Sequence, residues 1–114
     1  MKYMLLIYGE PPERELTPEE WAAAMPAWEA YGAELRKRGA YIDAAPLART
    51  TSATTVKLRD GKRVVTDGPF AETKEVLGGY YIIEAPSLDG ALEAAAMCPG
   101  AQYGSVEVRP IVDM

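Results

Sequence analysis

Thr17-Pro18-Glu19-Glu20 is the strongest constraint on how this chain folds, because it marks the start of a long helix by three independent signals. Thr17 can cap the helix and Glu20 can reach back to the cap. Pro18 takes the first helical position, where its missing N–H is of no consequence, and Leu16 and Trp21 are spaced as a hydrophobic staple. The far end is marked as well: Arg36-Lys37-Arg38 places cations where the helix dipole is negative, and Gly39 follows as the stop. A helix over Pro18–Arg38 is therefore expected, with Trp21, Met25, Trp28 and Leu35 on one face. Pro26 lies inside it. Its ring removes one hydrogen bond and crowds the preceding turn, which predicts a kink near Ala22–Met25 or a split into two helices.

Around that helix the pattern changes to strands. Tyr3–Tyr8 is a short apolar run halted by Gly9-Glu10-Pro11-Pro12, and Ala40–Ala45 reads as a second strand. Thr54–Arg59 and Lys62–Asp67 flank Asp60-Gly61, a dipeptide suited to a two-residue hairpin turn, which sets Val56 opposite Val65. Val76–Glu84 is a longer strand in which Gly78-Gly79 suggests a bulge or a close backbone approach. Ser87 can cap a second helix reaching about Met97, with Leu88, Leu92, Ala95 and Ala96 inward. Tyr103–Val108 is the last strand, followed by an extended tail. Two strand-helix-strand units around an inserted hairpin predict an α+β, ferredoxin-like sandwich: an antiparallel sheet with helices on one face, forming a single domain over residues 1–114.

Several function classes are excluded by what is scarce. A net charge of −5 argues against a phosphate-tracking surface, so no direct nucleic-acid partner is expected. The N-terminal apolar run is too short for a membrane span and lacks a cleavage-site pattern. One cysteine, Cys98, leaves no internal disulfide framework and fits a reducing, cytoplasmic setting. There is no histidine at all, which removes Ser-His-Asp and Cys-His nucleophile systems and His-based zinc sites. No cofactor and no metal site is expected, the one alternative being a hard cation on Asp67, Glu72 and Glu75, which lack the ordered ligand spacing of a calcium loop. Cys98 itself falls at the end of the second helix on an apolar junction, a place for burial rather than for an activated thiol.

The remaining candidate chemistry is concentrated in Asp67-Gly68-Pro69-Phe70-Ala71-Glu72-Thr73-Lys74-Glu75. Asp67 can hold the Gly68-Pro69 turn by accepting backbone hydrogen bonds, with Phe70 anchoring the loop in the core. Glu72 and Lys74 fall on one side of an extended chain, either as a solvated charge run or as the mouth of a pocket where a carboxylate or ammonium exchanges a proton. Asp67, Glu72 and Lys74 are thus the catalytic candidates, and Glu75 joins them as a ligand-binding candidate. Tyr8, Tyr41, Tyr80, Tyr81 and Tyr103 give the strands an amphipathic lining; Tyr8, Tyr81 and Tyr103 are the ligand-facing candidates. Tyr80 and Tyr81 must face opposite ways. Arg49 and Arg109 are either anion clamps or surface ion-pair partners.

The same nine-residue run resembles the signature of the DGPF branch of the YCII-related proteins. The likeness extends from Met1–Tyr8 through Leu77-Gly78-Gly79-Tyr80-Tyr81 to Tyr103–Pro110. This resemblance implies a homodimeric α+β barrel in which two sheets pack face to face. Helices on one face and aromatic strands predict such a partner independently, since the second face is too apolar for water. A His-Asp pair suspected of catalysis in other branches cannot be supplied by this chain. The expected function is binding or transformation of a small polar molecule in a pocket between the sheet, the Asp67–Glu75 loop and the dimer partner. The alternative implied by the resemblance is a non-catalytic accessory protein linked to an extracytoplasmic-function sigma factor.

Overall fold

A computed structural model describes residues 1–71 and 73–114. The chain runs β1 (Lys2–Gly9), α1 (Pro18–Lys37), β2 (Tyr41–Pro46), β3 (Thr54–Arg59), β4 (Lys62–Asp67), β5 (Val76–Glu84), α2 (Leu88–Ala96) and β6 (Ser105–Pro110). The architecture is α+β: four antiparallel strands in the order β2-β5-β1-β6, two helices, and β3 and β4 as a separate antiparallel hairpin. No helix among the described residues is long and apolar enough to cross a membrane.

Strand alternation divides the four-stranded sheet into two unlike faces. Tyr3 and Leu5 of β1 and Ile83 of β5 are buried with Tyr31 and Leu35 of α1 and Ala91, Ala94 and Ala95 of α2, so both helices cover the same face. Full burial of Leu5, Leu35 and Ile83 contributes about 1.5–3 kcal/mol each relative to exposure. The Tyr31 hydroxyl donates to the Ala94 carbonyl at 2.7 Å and ties one helix to the other. On the opposite face Met4 stands against Ile82 and Leu6 against Tyr80. Neither helix nor hairpin packs extensively against them.

The first helix starts as its sequence demands. The Glu20 N–H donates to Thr17 Oγ1 at 3.2 Å, and the Thr17 N–H donates to Glu20 Oε1 at 2.9 Å. Pro26, however, does not split the helix, which is one element from Pro18 to Lys37. Pro26 and Ala22 are both exposed, so the carbonyl that loses its partner faces water, while packing of Trp28, Tyr31 and Leu35 holds the remaining turns. In α2 the expected inward face is shifted. Ser87 caps it, accepting from the Gly90 N–H at 3.3 Å, but Ala91, Ala94 and Ala95 are buried while Leu88 and Leu92 are exposed. Small side chains let the helix lie close to the sheet, and the leucines stay outside.

Gly78-Gly79 serves both suggested roles. Ile7 pairs with Gly79 and Tyr8 with Leu77, so Gly78 bulges out of the ladder. A Cβ on Gly79 would approach the Ala45 carbonyl oxygen at 3.1 Å. The last strand begins at Ser105 rather than Tyr103, because a tight turn precedes it: a Cβ on Gly104 would lie 2.1 Å from the Tyr8 carbonyl oxygen.

The hairpin has its predicted register, Val56 opposite Val65, around Asp60 (φ 52°) and Gly61 (φ 74°). Two positive φ values fit a primed hairpin turn, which follows the twist of the strands. Its apolar residues are not buried, however, and Leu58 is 68% exposed. The expectation that Phe70 anchors the following loop in the core is overturned: the ring is 77% exposed and lies under the Lys57 ammonium, 5.0 Å from its centroid. The loop leaves the hairpin rather than the core, so no interior lies beneath the ring.

Candidate functional site

Beneath the N-terminal half of α1 the helix and the sheet do not meet. Trp21 and Met25, expected in the core, instead look across a cavity of about 700 Å³. The register explains the gap, since the sheet end below them is built around Gly9, Gly78 and Gly79, which offer no side chains to fill it. The prolines Pro11 and Pro12 of the β1–α1 loop close one edge. Arg49 holds that loop, donating to the Pro12 carbonyl at 3.2 Å and pairing with Glu15 at 3.8 Å. Arg49 is therefore engaged in architecture. Arg109, the other clamp candidate, pairs with Glu107.

The wall between cavity and core is aromatic. Tyr81 lies at its centre, stacked on Trp28 (centroids 6.2 Å apart, 14° between planes) and meeting Tyr31 and Tyr41 edge-on at 5.1 and 6.4 Å. Such offset and edge contacts suit the quadrupoles of the rings. Burial pushes the Tyr31 and Tyr81 hydroxyls above the ordinary tyrosine value, so both are neutral donors at physiological pH. Burial also pushes the Cys98 thiol up, which makes it a poor nucleophile. The charged groups lining the cavity are Glu10, Glu29 and Arg36. A second recess, about 590 Å³, lies on the other side of α1, but its one carboxylate, Glu34, is held by Arg38 at 3.0 Å.

These features lie within a recognisable domain, since the YCII-related domain matches the sequence from residue 1 to residue 114. The chain belongs to the YCII-related family. It is also similar to an uncharacterized protein of Rhizobium meliloti, with 47% identity over 79 residues. The aligned stretch covers 62% of this chain and 64% of that relative, less than two thirds of its length.

In this YCII-related chain the sequence candidates are not gathered into one place. Tyr8, Tyr81 and Tyr103 line the cavity. Asp67, Lys74 and Glu75 do not, and Glu72 lies outside the described residues. Asp67 is exposed, and the turn after it is held by other groups: the Gly68 N–H donates to the Ala53 carbonyl at 2.7 Å, and the Thr55 hydroxyl donates to the Gly68 carbonyl at 2.8 Å. Lys74 is 86% exposed and stands 4.0 Å from Glu10, on the rim. Glu75 accepts from the Ser105 hydroxyl at 3.1 Å. Among the described residues no three metal-ligating side chains converge.

Trp21, Met25, Trp28 and Arg36 are the lining residues that the sequence reading assigned to core or to helix capping. One signal does point to them. Trp21, Met25, Trp28, Gly32 and Arg36 recur at helical spacing, and Gly32 interrupts the row in mid-helix, where glycine costs about 1 kcal/mol relative to alanine. A glycine facing a glycine-poor strand would be a packing device; facing Gly78-Gly79 it leaves space.

Proposed function

We propose that this protein is a homodimer that binds a small molecule in the cavity between α1 and the strand ends. The observation that carries the reading is the cavity itself: about 700 Å³, walled by Trp21, Met25, Trp28 and Tyr81, with a few charged groups at its edge. Sites for small ligands have this size and this mixture of apolar wall and sparse polar contacts. The rim beside Lys74 and Glu10 is where the Asp67–Glu75 loop and a partner subunit would complete the enclosure.

The dimer rests on surface that one chain leaves uncovered. A compact protein of 12.4 kDa exposes roughly 6,100 Å², whereas this chain exposes 8188 Å². Its radius of gyration is 16.0 Å against roughly 13 Å for a compact chain of this length. The excess is ample for a stable interface, which takes about 800 Å² per partner. Strand order β2-β5-β1-β6 with two strand-helix-strand units supports a ferredoxin-like plan, and the half-buried Met4, Leu6, Tyr80 and Ile82, on the face opposite the helices, support face-to-face sheets in a dimeric α+β barrel of the DGPF type.

The test is a thermal-shift screen of the purified protein against metabolite pools, followed by the same screen on Ala44→Phe. Ala44 lies on β2 opposite Tyr81 and lines the cavity, so a phenyl group there intrudes into it and obstructs a ligand. A ligand that binds only the folded state raises the midpoint of the wild type and has no effect on the variant. An undiminished shift in Ala44→Phe means that the cavity is not the site.

A further inference from the structure

Arg36 is the cation of this cavity, and among the described residues it has no carboxylate partner. Its neighbours at helical pairing distance are Gly32, Ala33, Gly39 and Ala40, so the helix provides none. Among the described residues no other carboxylate comes within ion-pair distance of it. Arg38, two positions on, shows the ordinary alternative by pairing with Glu34 at 3.0 Å.

Arg36 is nevertheless held in place. Its guanidinium carbon sits 4.2 Å from the centroid of the Tyr41 ring, and Nη1 lies 3.2 Å from where a Cβ on Gly32 would be. The side chain therefore folds back along the helix into the space that Gly32 leaves open. An arginine stacked on an aromatic face keeps its N–H edge free for a planar anion. The Tyr81 ring meets that of Tyr41 edge-on, and its hydroxyl is neutral and a donor. Glu29, the carboxylate lining the same wall, is seven residues away along α1, roughly 10 Å by helical rise, and marks the other end of the cavity. Glu10 is answered by Lys74. The polarity is thus directional: a cation with free donors at one end, apolar rings between.

We propose that the cavity takes an aromatic carboxylate, its ring against Trp21, Met25 and Trp28 and its carboxylate on Arg36. This rests on the reading of the cavity as a ligand site and adds the chemical class. Arg36 supplies a bidentate, charge-assisted contact, and Trp28 and Tyr81 supply the surface on which a flat ring packs.

Calorimetric titration with 1-naphthaleneacetate and with its neutral amide tests it, because the two probes share a shape and differ in charge. The acid should bind at least about ten-fold more tightly than the amide, and Arg36→Gln should remove that difference by weakening the acid far more than the amide. Arg36→Lys, which keeps the charge and loses the planar fork, should fall between. Glu29→Gln should improve acid binding slightly. Both tryptophans of the chain line the cavity, so quenching of the total tryptophan emission reports occupancy directly. Equal affinity for acid and amide, or an Arg36→Gln variant that holds the acid as well as the wild type, overturns the inference while the binding itself leaves the cavity reading standing. Absence of heat and of quenching with both probes also overturns it, and the thermal-shift screen then decides the cavity reading separately.

Discussion

The helix-covered half of this molecule and its β3–β4 hairpin use similar residues to opposite effect. In the first, Leu5, Leu35 and Ile83 are fully enclosed and Tyr31 finds a carbonyl for its hydroxyl. In the second, Val56, Leu58 and Val65 lie on one face of a correctly registered ladder and remain in water. The hairpin obeys every local rule for its class, from the Asp60-Gly61 turn to its cross-strand pairs. What it lacks is a surface to cover. Local geometry and burial are thus separate achievements, and only one half of the chain reaches both alone.

The largest expected effect tests the enclosed half. Leu5→Ala should destabilise the protein by about 2–5 kcal/mol, since the side chain is fully buried and its neighbours come from both helices and the sheet. Chemical denaturation would show this as a lowered midpoint at unchanged slope. A loss below about 1 kcal/mol would mean that the core readily collapses around the missing side chain, and the contrast with the hairpin would weaken.

Thr17→Ala comes next, at about 1 kcal/mol, because it leaves the Glu20 N–H without its acceptor at the start of α1. Its partner carries a pH signature. The Arg14 guanidinium beside Glu20, with the Thr17 N–H as second donor, holds its carboxyl at about 2, below the usual 4.5. A carboxyl depressed in the folded state contributes stability that is complete above its unfolded value and is lost as pH falls. Thermal midpoints should therefore decline between roughly pH 4.5 and 2, and Glu20→Gln should flatten part of that decline. An identical acid profile in the variant would place the pH dependence elsewhere.

How much could be read in advance follows the same division. The capping box, the hairpin register, the bulge at Gly78 and the burial of Cys98 all depend on neighbours within a few residues or on a single apolar side chain, and each was legible. The fate of Trp21 and Met25 was not. Their helical spacing is that of a core face, and whether that face meets a sheet or a cavity depends on Gly78-Gly79, more than fifty residues away. Phe70 failed for a related reason: a lone aromatic residue after a turn predicts an anchor only where an interior lies beneath it. On sequence alone Arg36 serves the helix dipole, a role equally open to Lys37 and Arg38, and the open space at Gly32 that makes it different appears only in three dimensions.

The smallest expected change in folding carries the sharpest test of the comparison. Val56→Thr with Leu58→Lys alters two exposed side chains on the hairpin, so the stability of the single chain should move by less than about 0.5 kcal/mol, and Phe70→Ala should behave alike. If the hairpin face is covered by a second copy, the paired variant should shift light scattering from dimer toward monomer at micromolar concentration. It should also remove the concentration dependence of the thermal midpoint, which arises when association favours the folded state. Met4→Lys on the open sheet face should do the same if the two sheets meet there. A monodisperse wild-type monomer would sink the dimer outright. A hairpin variant that still dimerises beside a Met4→Lys variant that does not would place the interface on the sheet and leave the hairpin to other contacts. The reverse result would place it on the hairpin, because two surfaces on one chain can then be uncovered for different reasons.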